Sequence, residues 1–458
     1  MESPETTDVR NPHTNQTITK LFLAQPSDID EAIQLSSEAF KVTSKYSSYE
    51  RSHILTRMVQ AIIKRKDDFI SLITEEVGKP VKFSRGEVDR AISTFEIAAE
   101  EAKRINGETI PLDITSVTKG KQGMVNRFPI GVIACISPFN FPLNLVAHKI
   151  APAIASGNAF ILKPPPQAPL TSLLLAECLL ESGIDERTIS VLPCSNVNAE
   201  HLVTSDDIAM VSFTGSAKVG WMLKSKAGKK KVVLELGGNA SAIIDKTADI
   251  DHAVARCIIG GFGYSGQVCI KVQKILLHKD IEQEFTKKFI AAVGKIQTGD
   301  PKDEQTINGP MISETALKRV DDWVQEAVHM GAKVLSGANK KGTFYEPTVL
   351  ANVKSSMKVC SEEIFGPVVT IQSFSSMQEA VAEANSSKYG LQAGVFSNDF
   401  KNIMYAYKHL AVGGVIVNEY PTFRVDNMPY GGVKDSGFGR EGIHSSIYEM
   451  TEPKLLVY

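Results

Sequence analysis

The chain has 458 residues, of which 43% are hydrophobic and 22% charged, enough for about two or three domains around a large core. Its 50 Lys and Arg balance 52 Asp and Glu, a formal net charge of −2, so bulk charge points to neither nucleic acid nor an anionic membrane surface. Six cysteines, at 135, 178, 194, 257, 269 and 360, form no C-x-x-C pair and no zinc spacing; this argues against a disulfide framework or a metal site and fits a reducing compartment. The polar, acidic start from Met1 to Asp8 is neither a signal nor a transit peptide, and no apolar run reaches the ~18 residues of a membrane span. A cytoplasmic protein is expected.

The N-terminal third predicts helices: one beginning near Asp28, one across Ser48 to Val77, and one from Glu87 to Arg104, each with apolar residues at helical spacing. Pro111 to Phe128 is polar and short-stranded. From Gly131 the pattern alternates: strand Val132 to Ile136, helix Leu143 to Ile154, strand Ala159 to Lys163, helix Thr171 to Ser182, and strands Ile189 to Leu192, Met210 to Phe213 and Lys231 to Glu235. Such alternation implies βαβ units and a parallel sheet covered on both faces. It restarts after Glu235 with strands at Ser241, Lys274 and Val368 and helices at Ile250, Asp321 and Met377. The tail from Glu452 to Tyr458 predicts an edge strand in need of a partner. The expected fold class is α/β: two parallel-sheet domains with a small β flap.

Two stretches match G-x-G-x-x-G, Gly261 to Gly266 and Gly437 to Gly442. That fingerprint needs a strand before it and a helix after it. The first follows a helical pattern and the second a turn-rich stretch, so a nicotinamide cofactor must be held elsewhere.

Four polar residues draw notice because each closes a strand or a Gly-rich turn, where open α/β sheets bind ligands. Cys269 stands in Gly266-Gln-Val-Cys269 and reads either as a small buried hydrophobe or as a nucleophile. Glu235 precedes Leu236-Gly-Gly-Asn239 and reads as a loop carboxylate or a general base. Asn140, bracketed by Pro138 and Pro142, reads as an Asx-type turn or an oxyanion donor. Lys163 ends its strand before three prolines.

Taken in order, Pro138-Phe-Asn-Phe-Pro142, Phe213-Thr-Gly-Ser216, Leu234-Glu-Leu-Gly-Gly-Asn239, Gly266-Gln-Val-Cys269 and Glu363-Ile-Phe-Gly-Pro367 resemble the motif set of the aldehyde dehydrogenase superfamily over nearly the whole chain. The resemblance implies a cofactor-binding domain over 1–111 and 129–235, a catalytic domain over 236–430, and an oligomerisation segment over 112–128 and 431–458. It implies a small-molecule aldehyde substrate, NAD or NADP as cofactor, a homodimer or homotetramer, and no nucleic-acid, membrane or metal partner. Cys269 would attack the aldehyde, Asn140 would hold the oxyanion, and Glu235 would activate the water that hydrolyses the thioester. Lys163, Gly215, Ser216, Glu363 and Phe365 would hold the cofactor. Where NAD-selective members often carry a Glu, this chain has Pro166, so the carboxylate that repels a 2′-phosphate is missing and cofactor choice stays open.

The stretch Thr422 to Gly432 resembles the branch containing lactaldehyde and phosphonoacetaldehyde dehydrogenases. The expected reaction is oxidation of a short polar or anionic aldehyde, lactaldehyde-like, to its carboxylate. Phosphonoacetaldehyde, a semialdehyde, thioester chemistry without redox, and a non-catalytic member of the fold are the alternatives. Arg424 is a candidate to grip an anionic end, with a loop salt bridge to Asp426 as its plain reading. His148 and Lys274 are further candidates, and Lys274 stands where the phosphonate type is expected to carry an arginine.

Overall fold

In the computed structural model, which describes residues 5–458, the strands Val132–Ile136 and Ala159–Lys163 bury every side chain. Strands covered by helices on both faces have no solvent side to serve. They lie at the heart of a six-stranded sheet whose order is Gly437–Phe438, Lys231–Glu235, Ile208–Thr214, Val132–Ile136, Ala159–Lys163 and Ser190–Val191. All neighbours pair in parallel except Gly437–Phe438, which runs antiparallel to Lys231–Glu235. Parallel pairing brings Ile136 beside Lys163 and Phe213, and Thr214 beside Glu235, so the carboxyl ends of these strands open on one rim.

The second sheet has seven strands, in the order Lys333–Ser336, Thr348–Ala351, Val368–Phe374, Lys274–His278, Ser241–Ile244, Gln392–Phe396 and Gly414–Val417. Only its first pair is antiparallel. The fold is therefore α/β with two parallel-rich sheets, as expected. No described helix is long and apolar enough to cross a membrane.

The helical N-terminal third differs in detail from the sequence pattern. The helix expected from Ser48 to Val77 is two, Ser48–Lys64 and Lys66–Val77, because Arg65 leaves helical geometry at φ −108° and ψ 20°. Its guanidinium grips both oxygens of Glu181 on the neighbouring helix Pro169–Ser182. The next helix starts earlier than expected, at Val81–Glu101, with Pro80 at its entry, where a missing N–H is tolerated.

The C-terminal stretch has three destinations. Gly437–Phe438 joins the six-stranded sheet, helix Ile443–Glu449 packs on helices Val81–Glu101 and Asn144–Ser156, and Thr451–Val457 pairs antiparallel with Gln122–Pro129. Glu108–Pro111 completes that small antiparallel sheet. The expected edge strand thus finds its partner within the chain, while Leu455, Leu456 and Val457 stay about half exposed.

Candidate active site

Two cavities, of ≈ 650 Å³ and ≈ 340 Å³, are both lined by Cys269. The cysteine follows a backbone that few sequences could adopt. Helix Ile250–Phe262 ends in a turn where Tyr264 and Ser265 take φ of 52° and 56°, and Gly266 continues at 63°. A left-handed residue with a side chain is strained unless its surroundings hold it. Here the Ser265 hydroxyl donates to Gly309 O at 2.7 Å, and the Gln267 amide bonds Pro310 O and the Ile312 N–H. Gly266 is obligatory, since a Cβ there would run into the Gly366 backbone. The turn delivers Cys269 as the one cysteine that is not fully buried. Its walls nevertheless push the thiol up to about 11, by burial first, against a hydrogen bond with Tyr430.

Asn140 is buried beside it, and its amide Nδ2 donates to Gln267 O at 3.1 Å. That bond uses one of the two amide hydrogens and fixes the plane in which the other points. Glu235 closes its strand with both carboxylate oxygens buried and without a hydrogen-bond partner. Burial, and then the nearby Glu441 charge, raise its pKa well above the carboxylate range.

The larger cavity runs from Cys269 along the rim of the six-stranded sheet. Asn140, Lys163, Pro166, Gly215, Ser216, Glu235, Glu363 and Phe365 all line it, so the expected catalytic and cofactor residues meet in one space. Polar groups set into its mostly apolar walls fit a dinucleotide. The Ser137 and Thr214 hydroxyls are buried without protein partners, as is the Glu235 carboxylate. Ser216 caps helix Ala217–Lys226 without using its side chain, which leaves the first-turn N–H groups for an anion. Lys163 is buried with only a long 3.4 Å bond to Asn196, and burial lowers its pKa. Glu363 accepts from the Gly238 N–H at 3.1 Å and is raised to about 7 by burial. A Cβ at Gly237 would overlap the Glu363 carboxylate, so the glycine there is what admits it. Phe365, at a left-handed φ of 44°, meets Phe139 edge-on at 5.9 Å.

The smaller cavity opens on the other side of Cys269. Lys79, Lys82, Arg90 and Arg424 line it, against a single wall acid, Glu87. Arg424 pairs with Glu441 at 3.1 Å rather than with Asp426, and its Nε is buried with no partner. Asp426 is occupied by Arg90, which grips it at 2.6 and 3.2 Å, and by His148 at 2.8 Å. Burial raises the Asp426 carboxyl, but the His148 and Arg90 bonds outweigh it and hold the pKa below the usual range. Glu441 is likewise held down, to about 2, by Lys149 and Arg424 against its burial.

Two of the three expected substrate residues lie elsewhere. His148 is fully buried on helix Asn144–Ser156 behind Asp426, off both cavity walls. Lys274 lies inside the seven-stranded sheet, 3.5 Å from Glu383, because its position on Lys274–His278 turns it toward helix Met377–Asn385. Conversely, Arg90, Lys79 and Tyr430 are site residues that sequence reasoning missed. Arg90 carries no motif and sits 336 residues from its partner Asp426. Among the described residues, no cluster of His, Cys, Asp and Glu is arranged to hold a metal.

The family model described as "Aldehyde dehydrogenase family" matches residues 1–456. Over 454 residues the chain is 42% identical to a 3-sulfolactaldehyde dehydrogenase of Priestia aryabhattai, covering 99% of this chain and 95% of the relative. A lactaldehyde dehydrogenase of Methanococcus aeolicus is 39% identical, covering 98% and 96%. Among solved structures, aldehyde dehydrogenase 21 of Physcomitrella patens, in complex with the reaction product succinate, superposes with a TM-score of 0.97 at 46% identity, covering 99% of this chain and 95% of that one. Glyceraldehyde-3-phosphate dehydrogenase GapN of Methanocaldococcus jannaschii, complexed with NADP, gives 0.95 at 36% identity, covering 98% of each.

Proposed function

The chain belongs to the aldehyde dehydrogenase family and is an NAD(P)-dependent aldehyde dehydrogenase, and from that premise we propose that it oxidises a short, negatively charged aldehyde to its carboxylate through a thioester on Cys269. One observation carries the reading: Cys269 is the wall shared by a dinucleotide-sized cavity and a smaller cavity lined by four cations. An aldehyde seated in the smaller cavity with its anionic end toward Arg424 presents its carbonyl to the sulfur. The orphan Nε of Arg424 is a donor waiting for an acceptor oxygen.

In this mechanism the Cys269 thiolate attacks the carbonyl carbon. The free hydrogen of the Asn140 amide, together with the Cys269 backbone N–H, holds the oxyanion that forms. The oxidised nicotinamide, when bound, supplies the hydride acceptor; Lys163 and Glu363 would hold its ribose hydroxyls, Phe365 its ring end, and Gly215 and Ser216 its pyrophosphate. Glu235 then takes a proton from water as that water attacks the thioester. Burial raises its pKa above the ordinary carboxylate range, the direction that makes the deprotonated form a stronger base. The absence of a carboxylate at Pro166 leaves room for a 2′-phosphate, so both NAD and NADP are expected to serve.

Two of the relatives support a charged substrate, since 3-sulfolactaldehyde carries a sulfonate and succinate is the product of a carboxylate-bearing aldehyde, whereas a third is a lactaldehyde dehydrogenase. Lactaldehyde, the uncharged alternative, is favoured by one observation: Arg90 and Arg424 already have acidic partners. The deciding experiment follows formation of reduced cofactor with sulfolactaldehyde, succinic semialdehyde, phosphonoacetaldehyde, lactaldehyde and an apolar aldehyde, each with NAD and with NADP. Highest kcat/KM for a charged member supports the proposal. Preference for lactaldehyde, or activity retained by Cys269→Ala, sinks it. The oligomeric segment expected over 112–128 and 431–458 is proposed to join subunits through the open edge of Thr451–Val457.

A further inference from the structure

Among the described residues, Cys269 Sγ has one hydrogen-bonding neighbour, the Tyr430 hydroxyl at 3.3 Å. No histidine lines either cavity, so no imidazole is at hand to take the thiol proton. Tyr430 is buried and lines the smaller cavity. Its backbone is clamped to Glu441 in both directions, N–H to carbonyl at 2.9 Å and 2.7 Å, which leaves the phenol little freedom. The Arg424 guanidinium lies 3.8 Å from the centre of its ring.

We propose that Tyr430 is a positioning residue for the nucleophile: its hydroxyl donates to the Cys269 sulfur, stabilises the thiolate over the thiol, and fixes the sulfur between the two cavities. This rests on Cys269 being the nucleophile. The chemistry follows from the partners. A hydrogen bond to a thiolate is charge-assisted, whereas one to a neutral thiol is weak, so the donor favours ionisation. A cation over the ring draws electron density from the phenol and strengthens its O–H as a donor. The groups facing the sulfur pull in both directions. Burial disfavours the thiolate most, the Glu363 and Glu235 carboxylates oppose it further, and Tyr430 and Arg424 favour it. Two carboxylates beside a thiolate need such an offset. The donor also stays protonated, because burial, and then the adjacent Cys269, raise the phenol well above its ordinary range.

The arrangement couples substrate charge to reactivity. Arg424 stacks on the ring that holds the sulfur while its orphan Nε faces no protein partner. An anion bound there would therefore be felt at the nucleophile through Tyr430.

The test is the pH dependence of iodoacetamide alkylation at Cys269, read by peptide mass spectrometry on the cofactor-free full chain; the other five cysteines are buried. Tyr430→Phe is expected to raise the midpoint by about one pH unit, which is roughly tenfold slower alkylation at a fixed pH below it. Site-specific replacement of Tyr430 by 3-fluorotyrosine keeps the ring and strengthens the donor, so a smaller shift in the opposite direction is expected. The acid limb of kcat/KM should move with each midpoint. Unmoved midpoints, or shifts of the same sign in both variants, overturn the proposal; should Tyr430→Phe fail to fold, the fluorinated protein decides alone. A separate readout guards the underlying reading: full turnover by protein alkylated at Cys269 would sink the nucleophile assignment whatever the midpoints do.

Discussion

The two cavities that meet at Cys269 hold their charges differently. On the dinucleotide side, Ser137, Thr214 and Glu235 are buried without partners, and Lys163 has one long bond. On the other side, Lys79 pairs with Glu87, Arg90 with Asp426, and Arg424 with Glu441. Leaving polar groups unsatisfied costs stability, so it is tolerated where a large ligand will bring many hydrogen-bonding partners. A short aldehyde brings few. The cavity proposed for it instead keeps three of its four cations, Lys79, Arg90 and Arg424, pinned by buried acids, which spares those side chains an entropy loss on binding. The first cavity leaves several polar groups for its ligand to satisfy; the second is largely assembled beforehand and leaves the Arg424 Nε.

Substitutions at the junction test this contrast most severely. Cys269→Ala should abolish aldehyde oxidation while quenching of NADPH fluorescence shows the dinucleotide still bound; loss of that binding would mean the two cavities are not separable. Glu235→Gln should slow steady-state turnover by roughly 10²–10⁴ with a first turnover preserved, detected as a burst of reduced cofactor and an acylated Cys269 peptide. In wild type, deacylation should rise with pH through the raised Glu235 pKa, because the deprotonated form acts as the base; the amide should flatten that rise. Asn140→Ala should cost about 10²–10³ in kcat, the usual loss of one oxyanion donor, with KM nearly unchanged.

Smaller effects separate the cavities from each other. Arg424→Gln should lower kcat/KM for a charged aldehyde by about 10–100-fold, the range of one charge-assisted hydrogen bond, and lower that for lactaldehyde much less. Equal losses for both would place Arg424 in the scaffold through Glu441 instead. Pro166→Glu should raise KM for NADP by about tenfold through repulsion and leave NAD within a small factor, as steady-state kinetics with each cofactor would show.

Much of this molecule is legible in the chain. Strands such as Val132–Ile136 and Ala159–Lys163 are short, apolar and closed by proline, so their existence and even their ends follow from composition. Cys269, Glu235 and Asn140 are singled out by closing strands or a Gly-rich turn, and they do line one cavity, but the roles expected of them come from the family resemblance. Arg65 shows a limit, since nothing in Ser48 to Val77 announces a break that a tertiary ion pair to Glu181 accompanies. The cationic cavity shows a deeper one. Its walls come from helix Val81–Glu101, the turn before Cys269, and the loop around Arg424, and only folding brings them together. Asp426 seemed the natural partner for Arg424 by adjacency, yet Glu441 claims it, because Arg90 and His148 arrive at Asp426 from two distant helices. His148 and Lys274 lie off both cavity walls for the same reason: each faces an acid on a neighbouring element that sequence spacing does not reveal.

The sulfur shared by two cavities has a practical consequence for chemical probes. An electrophile with a sulfonate or carboxylate tail would reach Cys269 through the cationic chamber, and a larger neutral one through the dinucleotide chamber. Saturating NADP would then shield the enzyme from the second reagent and leave the first unhindered, while an unreactive anion would do the reverse. A matched pair of inhibitors built this way would inactivate by modifying one atom, yet be protected against by different ligands.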